Sequence, residues 1–247
     1  MTAYLQIQNI HKDFSGLKVL TGIDFSVKEK QRHAVIGPNG AGKTTLFNII
    51  SGRFKASSGA ILFKGQDISN TPAHARNRHG LSRSFQITNV FQELTVFENI
   101  RSGVRSRSGL RYNFLRKPDN HRQINDRTEA IAAEVGLQAV MHMPVSALSY
   151  GQQRALEIAI TLSTEPELIL LDEPTAGMTR EETGRAIRMI DRVTAGRTLI
   201  IIEHDMEVVF SLADTISVLH YGKILVSDIP ERIRTDQRVK DAYLGEE

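Results

Sequence analysis

The sequence predicts an α/β protein whose core is interrupted by a mostly helical insertion. An apolar run at residues 34–36 enters a glycine-rich turn, as a buried strand does. The runs at residues 168–171 and 199–202 are apolar throughout, which is typical of strands buried on both faces of a sheet. From residue 71 to about residue 147, polar and helical patterns replace this rhythm. We therefore expect one α/β core with an insertion in the middle of the chain.

The other strands are predicted from alternation and turn signals. Apolar and polar residues alternate near residues 5–7 and 23–27, which indicates half-buried strands. Residues 60–68 predict a further strand with a turn at Gly65. Residues 217–228 predict a hairpin that turns at Tyr221-Gly222.

Two helices carry boundary signals in the sequence. Residues 43–51 follow a helical pattern, and Gly52 is the expected C-cap. Thr179 begins the sequence TREE, a capping box, which predicts a helix ending near Gly196.

The composition excludes several kinds of function. The 247 residues are 40% hydrophobic and 24% charged, so the chain can bury a substantial core. A net charge of +3 is too small to indicate nucleic acid, and we expect no nucleic-acid partner. The lack of cysteine rules out disulfides and thiolate zinc sites. We expect no signal peptide and no membrane span, so a membrane role requires a partner.

Residues 37–45 match the P-loop pattern GxxxxGK followed by Ser or Thr, between a predicted strand and a predicted helix. The glycines let backbone N–H groups surround phosphate oxygens, and the helix N-terminus adds positive potential. Lys43 is expected to reach the β- and γ-phosphates of ATP, and the Thr44 hydroxyl is placed for Mg²⁺. The predicted nucleotide-binding residues of this loop are Gly37, Pro38, Asn39, Gly40, Ala41, Gly42, Lys43, Thr44 and Thr45.

Two carboxylates, Asp172 and Glu173, follow the apolar run at residues 168–171. A strand that ends in this way puts charge at the sheet edge where α/β proteins bind ligands. Asp172 suits the coordination shell of Mg²⁺, and Glu173 suits activation or orientation of an attacking water. An acidic pair after a strand is often only a solvated strand end, but the P-loop in the same chain favours the catalytic interpretation.

The segment LSYGQQR at residues 148–154 resembles the LSGGQ signature of the ABC transporter ATPase family. It begins a predicted helix, so Ser149 and the amides after it can hold a phosphate, although an ordinary N-cap is the alternative. The resemblance implies that Ser149, Gly151 and Gln152 bind the ATP of the opposite subunit. Tyr150 stands where the family has Gly, and we expect this difference to be tolerated.

The resemblance covers nearly the whole chain and implies a P-loop NTPase fold of the ABC ATPase type. This fold combines a RecA-like core, an antiparallel β subdomain and a helical subdomain. We expect one ABC ATPase domain over residues 1–247. Residues 1–86 and 165–247 would form the core with the β subdomain, and residues from about 87 to 164 the helical subdomain.

The resemblance implies roles for three further residues. Phe14 stands where the family stacks an aromatic ring on adenine, with a core position as the alternative. Gln86 matches the glutamine that senses the γ-phosphate or Mg²⁺, and His204 matches the switch histidine that contacts the γ-phosphate. Residues 175–179 depart from the corresponding family loop, so no aspartate role is assigned there. The implied catalytic residues are Glu173, His204, Gln86 and Lys43, and the implied Mg²⁺ ligands are Thr44, Gln86 and Asp172.

The chain has one P-loop and one signature, and the family uses each signature on the nucleotide of the other subunit. The resemblance therefore implies a homo- or heterodimer that sandwiches two ATP molecules. It also implies integral membrane permease subunits as partners and an indirect link to an extracytoplasmic solute-binding protein. The expected location is peripheral, on the cytoplasmic face of the inner membrane.

Several segments resemble the importer ATPases for branched-chain and other hydrophobic amino acids. Urea importer ATPases share several of them and lipopolysaccharide exporter ATPases share the tail, so both remain alternatives. A non-transport ABC ATPase is the rival class, but this chain has neither the second cassette nor the long coiled coil of such proteins. The segments are residues 83–86, 114–118, 148–157, 176–178, 203–206 and 242–245.

A basic segment runs from residue 101 to residue 122. It is interpreted either as a solvated surface or as a contact with anionic lipid or the permease. Its basic residues are Arg101, Arg105, Arg107, Arg111, Arg116, Lys117 and Arg122.

Overall fold

The computed structural model describes residues 3–84, 90–107 and 119–244 of the chain. The strands are β1 (Leu5–Phe14), β2 (Leu17–Val27), β3 (Arg32–Ile36), β4 (Ser58–Phe63), β5 (Gln66–Asp67), β6 (Leu81–Arg83), β7 (Leu168–Asp172), β8 (Thr198–Ile202), β9 (Thr215–His220) and β10 (Lys223–Asp228). The helices are α1 (Lys43–Ile50), α2 (Ala73–Arg78), α3 (Val96–Arg107), α4 (Asp119–Glu134), α5 (Tyr150–Leu162), α6 (Arg180–Val193), α7 (Met206–Leu212), α8 (Pro230–Thr235) and α9 (Gln237–Leu244).

The strands form two sheets. The first is antiparallel and has the order β2-β1-β4-β5. The second has the order β10-β9-β3-β8-β7-β6, and β9, β3, β8, β7 and β6 run parallel to one another. Strand β10 is antiparallel because it returns in a hairpin from β9. The carboxyl ends of β3, β7 and β8 therefore meet at one edge of the second sheet, where an α/β protein binds its ligand.

The central strands are apolar throughout because each of their faces packs against a different core. Val35 of β3 and Ile200 of β8 face a core shared with α1 and the antiparallel sheet. Their neighbours Ala34 and Leu199 face a core shared with α3, α5 and α6. All four side chains are fully buried. The prediction of strands buried on both faces is confirmed.

Most predicted boundaries agree with the structure. The predicted strand at residues 60–68 is β4 and β5, joined by the turn at Gly65. Thr179 is the N-cap of α6 and forms the predicted capping box with Glu182. The prediction of Gly52 as the C-cap of α1 is wrong. Ser51 is the C-cap, and Gly52 follows it with a φ of +78°, a left-handed conformation that glycine adopts without strain.

The stretch from residue 71 to residue 147 is not helical throughout. Strand β6 lies within it and pairs in parallel with β7, so its first part contributes to the core sheet. After the gap at residues 85–89 the described elements are α3, α4 and two short 3₁₀ turns. The subdomain boundaries stay a prediction.

A buried arginine fixes the end of α1, the helix that follows the P-loop. Arg76 is 1% exposed, and its Nη1 donates to the carbonyl oxygens of Ile49 and Ile50 at 2.8 and 2.7 Å. Its Nε and Nη2 donate to the carbonyls of Thr71 and Ser69. Burial lowers the pKa of Arg76 to about 10. The carbonyls that α1 cannot satisfy internally thus have a charged donor.

Within the three described ranges, every helix is too short or too polar to cross a membrane.

Candidate functional site

The P-loop joins β3 to α1, and its backbone is pressed against neighbouring strands. Gly37 has a φ of +150°, and a Cβ at this position would lie 2.0 Å from the carbonyl oxygen of Leu219. Gly42 is the N-cap of α1 with a φ of +107°, and a Cβ there would lie 2.7 Å from the side chain of Leu20. Packing and backbone conformation therefore both require glycine at these two positions.

A cleft of about 310 Å³ lies over the P-loop. Lys43 is buried beside it, and its Nζ donates to the carbonyl oxygens of Gly37 and Pro38 at 2.6 and 2.9 Å. The cleft combines an ammonium and the start of α1 with a carboxylate and an imidazole from the ends of β7 and β8. Its lining residues are Val19, Asn39, Gly40, Gly42, Lys43, Thr44, Thr45, Glu173 and His204.

Glu173 and His204 are hydrogen-bonded to each other in this cleft. Nε2 of His204 lies 2.9 Å from Oε1 of Glu173, and both side chains are partly exposed. Glu173 has a φ of +47°, which is uncommon for a residue with a side chain. Its N–H donates to the carbonyl of Ile202, the last residue of β8, at 2.9 Å. The main chain of β8 thus supports the strained conformation that aims Glu173 at His204.

A second carboxylate, Glu203, lies behind this pair and was not predicted from the sequence. It is 3% exposed, and its Oε1 accepts hydrogen bonds from the N–H and hydroxyl of Thr175 at 3.0 and 2.6 Å. Its Oε2 accepts from the N–H of His204 at 3.1 Å. Burial raises the pKa of Glu203, although the hydrogen bonds from Thr175 oppose the rise. Glu203 therefore ties the loop that follows Glu173 to the loop that carries His204.

The predicted magnesium ligand Asp172 is held by an arginine. Nη2 of Arg83 lies 2.5 Å from Oδ2 of Asp172, and the two side chains are 11% and 7% exposed. Nη1 of Arg83 donates to Oδ1 of Asn48 and the hydroxyl of Ser51 at 2.7 and 3.2 Å. No local sequence signal points to this ion pair, since its residues are adjacent only because β6 pairs with β7.

The signature residues lie in a separate cleft of about 350 Å³ that shares no lining residue with the first. Ser149 is the N-cap of α5, and its Oγ accepts the N–H of Gln152 while its own N–H donates to the Gln152 side chain. The structure thus shows the ordinary N-cap, and it places Ser149, Gly151 and Gln152 away from the P-loop of the same chain. This second cleft is also lined by Pro174, which directly follows Glu173.

Comparison with known proteins identifies the family. A family model described as "ABC transporter" matches residues 20–176. The chain belongs to the ABC transporter family. The chain is 38% identical to the high-affinity branched-chain amino acid transport ATP-binding protein BraF of Pseudomonas aeruginosa, with 98% of each chain covered. It is 35% identical to the corresponding protein LivG of Escherichia coli, again with 98% of each covered.

Solved structures agree with this assignment of an ABC ATPase. A crystal structure of an ATP-binding cassette from an ABC transporter in its ADP conformation is 28% identical, with a TM-score of 0.88 and 100% of both chains covered. A nucleotide-free cassette is 29% identical, with a TM-score of 0.86, 99% of this chain and 100% of that chain covered. The predicted family, the predicted ABC ATPase fold and the prediction of an ATPase are confirmed.

The residues of this ABC ATPase fit a nucleotide-bound Mg²⁺ better than a free metal ion. The part of the chain that the structure describes has no group of three or more His, Asp or Glu that could hold a metal. Asp172 and the hydroxyl of Thr44 are two oxygen donors, and Mg²⁺ in nucleotide sites takes one or two protein ligands with phosphates and waters. Thr44 lines the P-loop cleft, whereas Asp172 lies outside that lining and is paired with Arg83, so the role of Asp172 as a ligand stays a prediction.

Phe14 does not line the P-loop cleft, whose apolar lining residue is Val19. The Phe14 ring is 40% exposed and packs edge-on against Phe54, with centroids 5.7 Å apart. Nζ of Lys12 lies 4.6 Å from its centroid. The ring is thus neither a buried core residue nor part of the cleft wall, and its adenine contact stays a prediction.

Some predicted residues lie outside the described ranges. Gln86 is one of them, and its two predicted roles stay predictions. In the basic segment, Arg101, Arg105 and Arg107 lie on α3 and Arg122 lies on α4. Outside the described residues lie Arg111, Arg116 and Lys117.

Proposed function

We propose that this ABC ATPase powers uptake of a branched-chain or similar hydrophobic amino acid, as one of two ATP-hydrolysing subunits beneath membrane permease subunits. The observation that carries the ATPase half is the Glu173–His204 hydrogen bond at 2.9 Å within the cleft lined by the P-loop. The assignment of the solute rests on the similarity to BraF and LivG, because the solute itself does not contact this subunit.

The P-loop binds the phosphates of ATP. The amides at the start of α1 and the Lys43 ammonium supply donors and positive potential on one side of the cleft. In the described structure the Lys43 ammonium is bonded to the carbonyls of Gly37 and Pro38. Phosphate oxygens can replace these carbonyls as acceptors, so the lysine is already positioned beside the β- and γ-phosphates.

Glu173 and His204 direct the attack of water. Glu173 accepts a proton from the water as the water oxygen bonds to the γ-phosphorus, and the bond to the β–γ bridging oxygen breaks. His204 holds the Glu173 carboxylate in place and lies where it can contact the γ-phosphate. Thr44 and Asp172 would hold the Mg²⁺ that accompanies ATP, and the ion would supply positive charge to offset that of the phosphates. Catalysis in this scheme is positioning and electrostatics.

The signature completes a site on the partner subunit. Ser149, Gly151 and Gln152 line a cleft distinct from the P-loop cleft, so they are available to the nucleotide of a second subunit. Two chains arranged head to tail would then enclose two ATP molecules. ATP binding closes this dimer and hydrolysis opens it, at the cytoplasmic face of the membrane where the permease docks.

The experiment on the ATPase half uses Glu173→Gln. The amide keeps the shape of the side chain and cannot take a proton, so ATP binding should persist while turnover falls at least about 100-fold, the lower end of the usual contribution of a general base. ATP should then trap a dimer that is visible by size-exclusion chromatography. Hydrolysis at the wild-type rate would contradict the role of Glu173.

The experiment on the solute reconstitutes the chain with its permease and binding protein in vesicles. Leucine-loaded binding protein should stimulate ATP hydrolysis more than urea-loaded or unloaded binding protein. Stimulation by urea alone would transfer the assignment to a urea importer. Stimulation by neither solute would remove the amino-acid assignment and leave the ATPase.

A further inference from the structure

The chain departs from the family pattern at Tyr150 of the signature and in the loop at residues 175–179, and the structure brings these two departures together. Oη of Tyr150 lies 2.9 Å from the carbonyl oxygen of Ala176. The next residue, Gly177, has a φ of +77°, and a Cβ there would lie 3.4 Å from the Tyr150 ring. The tyrosine ring therefore packs against Gly177, whose backbone is in the left-handed conformation.

An arginine determines the direction of the Tyr150 hydrogen bond. Nε and Nη2 of Arg154 lie 3.2 and 2.8 Å from Oη of Tyr150. The guanidinium can only donate, so the tyrosine oxygen accepts from it, and the single hydroxyl hydrogen is left for the carbonyl of Ala176. Nη1 of Arg154 pairs with Glu157 at 3.0 Å, with side chains 12% and 6% exposed. The guanidinium is thus held in place from within α5.

The loop that receives this hydrogen bond leads directly to Glu173. The N–H of Ala176 donates to the carbonyl of Glu173 at 3.2 Å. Two hydrogen bonds therefore connect the Tyr150 hydroxyl to the main chain of Glu173. On the other side of the same loop, Thr175 is bonded to the buried Glu203. The position of Glu173 thus depends on contacts from the signature side and from the His204 side.

We propose that Tyr150 is a positioning residue that couples the signature of one chain to the Glu173 of the same chain. Tyr150 is the first residue of α5 and Ser149 is its N-cap, so the two move as one unit. When Ser149 engages the partner's nucleotide, the Tyr150–Ala176 contact sets Glu173 at the chain's own nucleotide. Each chain thereby links the two ATP sites of the dimer. This inference rests on the proposed function, because it requires that the signature acts on the partner's nucleotide.

The test compares Tyr150→Phe with Tyr4→Phe. Each change removes one tyrosine hydroxyl, and Tyr4 donates to Glu167 at 2.7 Å, outside both clefts. In Tyr150→Phe, kcat should fall about 5-fold or more with KM unchanged, and the Hill coefficient for ATP should fall toward 1. ATP binding at low protein concentration should stay at the wild-type Kd. The Tyr4→Phe variant should match the wild type in all four quantities.

Thermal denaturation of both variants separates positioning from folding. Tyr4→Phe loses one hydrogen bond, whereas Tyr150→Phe loses the bond to Ala176 and the two from Arg154, so Tm should fall further in Tyr150→Phe. A Tyr150→Phe enzyme whose kcat and Hill coefficient equal those of Tyr4→Phe would overturn the coupling role. A lower Tm in Tyr150→Phe with an unchanged Hill coefficient would also overturn it, in favour of a purely structural contact. If wild-type protein hydrolyses no ATP, the proposed function itself has failed, which is a distinct result.

Discussion

Nη2 of Arg83 lies 2.5 Å from Oδ2 of Asp172, in a buried ion pair that joins the last residue of β6 to the last residue of β7. The arginine thereby neutralises the carboxylate that we assign to Mg²⁺. It also contacts Asn48 of α1, and its guanidinium carbon lies 5.8 Å from the centroid of the Phe47 ring. One side chain thus connects the strand before Gln86, the helix after the P-loop and the acidic end of β7.

The first prediction concerns this pair. Arg83→Met should lower the free energy of unfolding by roughly 3–5 kcal/mol, because it leaves a buried carboxylate without a counter-charge. The matched control is Arg232→Met, whose partner Asp228 lies 3.2 Å away with the two side chains 73% and 32% exposed. That change should cost at most about 1 kcal/mol. Urea denaturation measures both, and equal losses would contradict the buried-pair argument.

The same variant also tests the metal assignment. Without Arg83, the Asp172 carboxylate attracts cations more strongly, so millimolar Mg²⁺ without nucleotide should raise the Tm of Arg83→Met more than that of the wild type. An identical Mg²⁺ response in both proteins would show that Asp172 is not accessible to the ion.

The second prediction concerns Glu203 and Thr175. In Glu203→Gln a single acceptor oxygen replaces two, so the side chain cannot accept from both Thr175 and His204. We expect kcat to fall roughly 10- to 100-fold with ATP affinity unchanged, because Glu173 is misplaced. Thr175→Val should produce a similar loss, and the double variant should be no worse than either single one.

Thr128→Val is the control for Thr175→Val, since Thr128 is fully buried and its hydroxyl donates to the Ile124 carbonyl at 2.7 Å. Thr128→Val should leave kcat unchanged.

Stability adds an independent readout for Glu203. Burial raises the pKa of Glu203, so its ionisation costs folding free energy as pH rises through that raised value. As pH rises from the ordinary glutamate pKa to the raised pKa of Glu203, the stability of Glu203→Gln relative to the wild type should therefore increase. Additive kcat losses would break the proposed Glu203–Thr175 link.

The third prediction concerns Phe14. If its exposed ring stacks on adenine, Phe14→Ala should weaken ATP binding by roughly 1–3 kcal/mol, and GTP should substitute in part because stacking is tolerant of the base. Phe91→Ala is the control, since that ring is 61% exposed and lies outside the P-loop cleft. Val19→Ala tests the side chain that does line the cleft. A loss of affinity in Val19→Ala but not in Phe14→Ala would assign the adenine contact to Val19.

The fourth prediction is a pH dependence of stability. His33 is 1% exposed, its Nε2 lies 2.8 Å from Oγ of Ser217, and burial lowers its pKa from 6.5 to about 4. The unfolded chain therefore binds this proton more readily, and stability is lost as pH falls from 6.5 toward 4. Between pH 7 and pH 5 the loss from this residue should be about 2 kcal/mol.

His33→Gln can still bond Ser217 and does not titrate, so its unfolding free energy should fall by about 2 kcal/mol less over this range than that of the wild type. His74→Gln, at an exposed position on α2, should keep the wild-type pH dependence. Parallel stability curves for the wild type and His33→Gln would contradict the buried neutral histidine.

Local patterns in the sequence were sufficient for the elements around the site. The runs at residues 168–171 and 199–202 predict strands covered on both faces, since an exposed face would leave apolar side chains in water. The P-loop is recognisable because phosphate binding demands a fixed spacing of glycine and lysine on contiguous residues. The capping box at Thr179 is equally local, since its two hydrogen bonds join residues three apart. Contiguous signals of this kind also identified the family.

Only the tertiary structure decided which distant side chains meet. Arg83 and Asp172 are 89 residues apart in sequence, Thr175 and Glu203 are 28 apart, and Tyr150 and Ala176 are 26 apart. Each contact depends on the strand order β8-β7-β6 or on the packing of α5 beside the loop after β7. Neither can be predicted from the spacing of residues along a short stretch of sequence. The adenine contact of Phe14 was predicted from resemblance alone. Only the tertiary structure shows that Val19, and not Phe14, lines the cleft. Spacing along the chain specifies the P-loop, whereas pairing across the sheet and packing of α5 specify the charges and hydrogen bonds around Glu173.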